Sequence, residues 1–169
     1  MMRAPSPSAL ARCTLVALVL IGCVGCDQVS KTAARLYLPG TGIHSYFGDT
    51  FRFQYAQNPG AFLSLGDSLP SAVRYEGFIV GVGMAVAALL AWAGLSTRLE
   101  WRQRIAIALI GAGGAGNLID RIRFEGAVTD FLNLGIGSLR TGIFNVADAI
   151  LMCGVIALLV GWNRHRPSR

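Results

Sequence analysis

Charged side chains are what this chain has least of. Only 14% of its 169 residues are Asp, Glu, Lys or Arg, where a soluble globular domain averages about a quarter. With hydrophobic residues at 53% and a mean hydropathy of +0.52, that scarcity excludes an ordinary soluble domain and a disordered chain. Cysteine and histidine are also few. The four cysteines, Cys13, Cys23, Cys26 and Cys153, all lie in apolar runs, which excludes a disulfide scaffold, and they read as small hydrophobes. Cys23-Val24-Gly25-Cys26 has the C-x-x-C spacing without a second pair, and the two histidines, His44 and His165, fall far apart, so no metal centre is expected. No G-x-S-x-G elbow is present, which leaves serine hydrolysis without support. Lys+Arg 15 exceed Asp+Glu 9, yet the aromatics sit in apolar runs rather than on a basic face, so nucleic acid is not an expected partner.

Long apolar runs fill the space that charge leaves. Four stretches pass a hydropathy test for membrane spans: about 11–29, 73–95, 105–119 and 143–162. The chain therefore reads as a single integral membrane domain over 1–169, with an extracytoplasmic loop at about 31–71. Placing both termini in the cytoplasm puts eight of the fifteen basic residues into the 27 inner positions 1–12, 96–104 and 164–169. It also puts every acidic residue except Glu100 on the outer half, and Lys and Arg are what set orientation. Leu20-Ile21-Gly22-Cys23 looks like the cleavage box of a lipoprotein signal peptide, but the apolar run continues past Cys23 and three more spans follow. In the outer loop, Phe51-Arg52-Phe53-Gln54-Tyr55 alternates apolar and polar between turn-rich segments, which predicts a strand of a small sheet on the membrane surface.

Gly111-Ala112-Gly113-Gly114-Ala115-Gly116 fits G-x-G-x-x-G. A dinucleotide fold needs further parallel strands, and only 53 residues follow Gly116, so these small residues are expected to let helices approach closely in lipid.

Ionisable residues inside a bilayer cost about 2.5–3.5 kcal/mol each on insertion scales, so each one asks for a reason. Asp27 and Lys31, four apart at the outer end of the first span, pair on one helix face. Asn117, Asp120 and Arg121 share a face where the third span ends. Asn145 and Asp148 open the fourth span, and no basic residue follows Asp148 within it. Asp130, among the apolar neighbours of Gly126-Ala127-Val128-Thr129-Asp130-Phe131, is the natural partner for Asp148. Two carboxylates held together do not both ionise easily, so one keeps a proton and the other takes one from water, the acid and base of peptide hydrolysis. The sequence does not say which is which. Two other classes stay open on these residues: a transporter using Asp148 as a proton switch, which requires a polar pathway across the bilayer, and a scaffold in which both aspartates are dispensable.

At these positions the chain resembles the prolipoprotein signal peptidases, the signal peptidase II family. The likeness rests on five blocks in order: Asp27-Gln28-Val29-Ser30-Lys31, Asn58-Pro59-Gly60-Ala61-Phe62, Gly113-Gly114-Ala115-Gly116-Asn117-Leu118-Ile119-Asp120-Arg121, Val128-Thr129-Asp130-Phe131 and Phe144-Asn145-Val146-Ala147-Asp148. The resemblance implies an all-α membrane protein of four transmembrane helices with a small extracytoplasmic β-cradle. It implies an aspartic endopeptidase of the bacterial cytoplasmic membrane, monomeric and without cofactor, that removes signal peptides from diacylglyceryl-modified prolipoproteins just before the lipid-modified cysteine. By position in the blocks, Asp130 and Asp148 would be the catalytic pair. Asn58, Gly60, Asn117, Asp120, Arg121 and Asn145 would support or line the site, with Asp27 and Lys31 at the end of the first helix. Membrane lipids would be its other partners, and Arg121 would pair with Asp120 or a lipid phosphate. The segment from Ser138 to Ile143 lacks the aromatic and proline residues expected there, and the first dozen residues fall outside the match.

Overall fold

The computed structural model describes residues 8–59 and 71–163. Four helices carry the chain: α1 (Ala9–Tyr37), α2 (Ser71–Leu95), α3 (Trp101–Arg123) and α4 (Val146–Asn163). Four short strands, β1 (His44–Tyr46), β2 (Phe51–Asn58), β3 (Val128–Ile136) and β4 (Leu139–Arg140), form one antiparallel sheet in the order β1-β2-β3-β4.

Among the described residues, three helices are long and apolar enough to cross a membrane: Ala9–Tyr37, Tyr75–Leu95 and Trp101–Arg123. The apolar stretch of α4, Val146–Gly161, is shorter. Each helix differs from its expected span at the ends. The 29 residues of α1 reach about 44 Å at about 1.5 Å per residue, well beyond a hydrocarbon core of about 30 Å. The helix begins at Ser8, whose hydroxyl accepts the Ala11 N–H at 3.2 Å, and runs eight residues past Val29. Arg35, expected in the loop, is therefore helical, as is Lys31.

The bundle is apolar outside and polar within. Leu18, Ile21, Val80, Met84, Ile156 and Leu159 are more than half exposed, whereas three of the five buried residues of α1 are Arg12, Asp27 and Lys31. α3 is the central element, packed against α1, α2, α4 and β3. Its glycines make that possible. A Cβ at Gly113 would strike the Ala147 carbonyl, and one at Gly116 would lie 2.7 Å from Asp27 Oδ2 and 3.1 Å from Ala147 Cβ. At the opposite end of the bundle, Arg12 Nε donates to the Gly94 carbonyl at 3.3 Å. The buried Arg104 guanidinium donates to the carbonyls of Ala93, Ser96 (2.9 Å) and Leu99 (3.2 Å), satisfying the last turn of α2.

The sheet corrects one expectation. Only β1 and β2 come from the first loop; β3 and β4 follow α3, so the sheet is closed by long-range pairing of Phe51 with Leu134 and of Asn58 with Val128. A bulge between Phe53 and Ala56 then sets Ala56 opposite Asp130. The β1–β2 turn carries Phe47, Gly48 and Asp49 at φ of 53°, 60° and 68°. The β3–β4 turn carries Gly137 at 58° and lies at the same end of the sheet, where Arg140 Nη1 donates to the Asp49 carbonyl at 2.7 Å. The other end of the sheet, with Asn58 and Asp130, abuts the helices.

Candidate active site

Asp130 enters from β3 and Asp148 from the first turn of α4, and one residue joins them. Asn145 immediately precedes α4, and its side-chain oxygen accepts the Asp148 N–H at 3.0 Å while its own N–H donates to Asp148 Oδ2 at 3.0 Å. This reciprocal cap holds the Asp148 carboxylate at the positive end of the helix. The Asn145 amide nitrogen donates to Asp130 Oδ1 at 2.7 Å and to Asn117 Oδ1 at 3.0 Å. Asn117, from α3, donates to Asp148 Oδ1 at 2.8 Å, and Asn58, from β2, donates to Asp130 Oδ2 at 3.0 Å. Each carboxylate thus holds two N–H donors.

Their surroundings differ. Asp130 is 4% exposed, while Asp148 is partly open. Burial pushes the Asp130 carboxyl above its ordinary range; the Asn58 and Asn145 donors pull it back in part, the Asp148 charge raises it and Lys31 lowers it.

A buried charge cluster backs this pair. Lys31 Nζ lies 2.9 Å from Asp27 Oδ2 and 3.5 Å from Asp120 Oδ2, with all three side chains at most 1% exposed. Asp27 Oδ1 accepts the Ala147 N–H at 2.8 Å, tying α1 to the start of α4. Asp120 Oδ2 accepts the Thr129 N–H at 3.0 Å, tying α3 to β3. The sequence reading missed two members. Gln28 donates to Asp27, Gly116 and Asp120, and Arg35 donates to Thr129 Oγ1 at 3.0 Å, stacks on Phe124 and lies 3.7 Å from Asp120. Asp27, Lys31 and Arg35 repeat at four-residue intervals, a stripe that was visible once the first helix was allowed to extend past Val29.

Asn58, Asn117, Asn145, Asp120, Asp27 and Lys31 are therefore brought together around Asp130 and Asp148. The pairing expected between Arg121 and Asp120 is not what the fold builds. Among the described residues, the ion-pair partners of Asp120 are Lys31 and Arg35, because Asp120 faces α1, while Arg121 stays within electrostatic reach of Asp148, Asp130 and Asp120. Gly60, with Ala61 and Phe62, lies outside the described residues, and so does His165. Among the described residues no group of His, Cys, Asp and Glu is suited to a metal.

Apolar-faced helices around a buried polar core, with a small sheet at one end, define the class: a membrane protein. Its fold matches a solved bacterial membrane enzyme, obtained by the in meso method at 1.9 Å resolution, with a TM-score of 0.77 over 90% of this chain and 95% of that one at 24% identity. A second such structure, at 2.3 Å resolution, matches at 0.73 with 22% identity over 92% and 95% of the two chains. The sequence profile of signal peptidase (SPase) II matches residues 19–163. The lipoprotein signal peptidase of Xanthomonas oryzae pv. oryzae (strain PXO99A) is 33% identical over 162 residues, 95% of this chain and 93% of that protein. The lipoprotein signal peptidase of Borreliella burgdorferi (strain ZS7) is 32% identical over 146 residues, 83% and 85% of the two chains. The chain belongs to the signal peptidase II family and is a peptidase.

Proposed function

We propose that this protein removes signal peptides from diacylglyceryl-modified prolipoproteins by aspartic catalysis, with Asp130 and Asp148 as the catalytic pair. The observation that carries the reading is Asn145, which hydrogen-bonds both carboxylates at once. Asp130, the more deeply buried carboxyl, holds the proton. Asp148, met by a backbone N–H at the amino end of α4, is the base. Asp148 takes a proton from water as the water oxygen attacks the scissile carbonyl carbon, and the Asp130 proton passes to the carbonyl oxygen. As the intermediate collapses, the proton on Asp148 goes to the leaving amine of the lipid-modified cysteine and the hydroxyl proton returns to Asp130. The products are a signal peptide with a free carboxylate and a lipoprotein with a free amino terminus.

The substrate's anchor supports this placement, because a lipid-bearing cysteine is held at the membrane interface, the level at which α4 begins. The same reading takes α4 as a fourth span, puts both termini in the cytoplasm and the site near the outer face, and treats the protein as a monomer amid membrane lipids. The test is cleavage of a diacylglyceryl-modified prolipoprotein by purified protein. Asp130→Asn and Asp148→Asn should each lower kcat by at least about 10³-fold, near the upper end for loss of an acid or base. Full cleavage by either variant overturns the pair, and no cleavage by wild type overturns the peptidase reading.

A further inference from the structure

Lys31 is the only lysine in the 169-residue chain, and its side chain is 0% exposed. An ammonium has three N–H bonds and accepts nothing. Here two of them face Asp27 (2.9 Å) and Asp120 (3.5 Å), and the third donates to a neutral amide, Asn117 Oδ1, at 2.9 Å. Charge neutralisation explains the first two contacts. It does not explain the third, which points away from the carboxylates of the cluster and toward the aspartate pair.

A side-chain amide has two ends of opposite polarity, and reversing it exchanges donor for acceptor. Reversed, Asn117 would turn its oxygen on the Asp148 carboxylate and its NH₂ on the Lys31 ammonium, losing both bonds. Asn145, whose own sense is set by the Asp148 N–H on its oxygen, also donates to Asn117 Oδ1, at 3.0 Å, so the Lys31 ammonium is the charged one of two donors on that oxygen. We infer that Lys31 is a positioning residue for the reaction: as the charged donor to Asn117 Oδ1 it holds the chain Lys31→Asn117→Asp148 in the sense that turns an N–H on the Asp148 carboxylate. The inference rests on the peptidase reading above and adds a residue that touches neither substrate nor water.

The charged groups facing this chain are Asp27 and Arg35 on α1, Asp120 and Arg121 on α3, Asp130 on β3 and Asp148 on α4. Loss of Lys31 is therefore read as a change in rate and pH profile together, against a control that disturbs the cluster without touching Asn117. Arg35→Met is that control, since it removes the contacts to Asp120 and Thr129. Purified full-length protein in lipid nanodiscs is assayed on a diacylglyceryl-modified prolipoprotein, with a thermal midpoint for each variant. Lys31→Met is expected to lower kcat by about tenfold or more with KM within about twofold, and to change the pH profile of kcat/KM. Lys31→Gln, whose amide still donates, recovers at least about a third of the wild-type kcat, and it carries the test by itself if the Met variant does not fold. Arg35→Met, which keeps the Lys31–Asn117 bond, lowers the midpoint, retains the wild-type pH profile and loses less kcat than Lys31→Met. Equal loss of kcat in Lys31→Met and Arg35→Met, no recovery in Lys31→Gln, or a Lys31→Met enzyme with wild-type kcat and pH profile overturns the inference. Absence of cleavage by wild type defeats the peptidase reading instead.

Discussion

Asn145 is fully buried and spends every polar atom of its side chain on the two aspartates or on the amide between them. Asn58 donates to Asp130 Oδ2 at 3.0 Å, a bond that favours the charged carboxylate. The sign of its removal follows. With Asp130 as the acid, activity requires its protonated form and is lost as pH rises through the elevated value; deleting the Asn58 donor raises that value further. Asn58→Ala should therefore shift the basic limb of the kcat/KM profile to higher pH, and a downward shift in that profile would refute the assignment of the proton to Asp130. Asn145 and Asp130 were legible in the sequence because polar groups stand out among apolar neighbours, where each needs a compensating reason, whereas Asn58 entered only through the family resemblance. Gln28 was harder to see, since it adjoins Asp27 and reads as part of the same helix end, although its amide spans α1 and α3.

At the scale of elements, helix type and number were clear from apolar length, but helix ends were not. The last turns of α1 continue past the apolar stretch because Lys31 and Arg35 find partners on α3 and β3, a tertiary gain that hydropathy cannot register. β3 was missed for a similar reason. Its first four residues, Val128–Phe131, are all buried, so the period-two pattern that marked β2 is absent. The close approach of α3 to α4 was foreshadowed by the glycine run, and it makes a sharp contrast possible. A Cβ at Gly116 meets Asp27 Oδ2 and Ala147, whereas one at Gly25 meets nothing within 4 Å. Gly116→Ala is expected to cost about 1–3 kcal/mol of stability and to reduce activity by displacing the start of α4. Gly25→Ala, gaining only helix propensity, is expected to be neutral or stabilising by up to about 1 kcal/mol. Thermal midpoints of the purified variants check both, and equal midpoints would show that the contact at Gly116 yields without strain.

At the scale of the molecule, charge and topology agree. Arg12 and Arg104 tie down one end of α2, and Arg98 and Arg102 flank the same α2–α3 connection, while the acid-rich site lies at the other end of the bundle. In a cysteine-free background, Leu139→Cys on the β3–β4 turn should react with a membrane-impermeant thiol reagent in intact cells, and Thr97→Cys on the α2–α3 connection only after permeabilisation. The reverse pattern would invert the orientation.

The site is stitched from distant parts of the chain. Asn58 meets Asp130 across 72 residues, and Asp27 meets the Ala147 N–H across 120. Because a chain is made from its amino end, the proposed site stays incomplete until α4 has joined the elements made before it. Leu20-Ile21-Gly22-Cys23, the stretch most like a lipoprotein cleavage box, already belongs to the continuous α1 against which β3 and α4 dock.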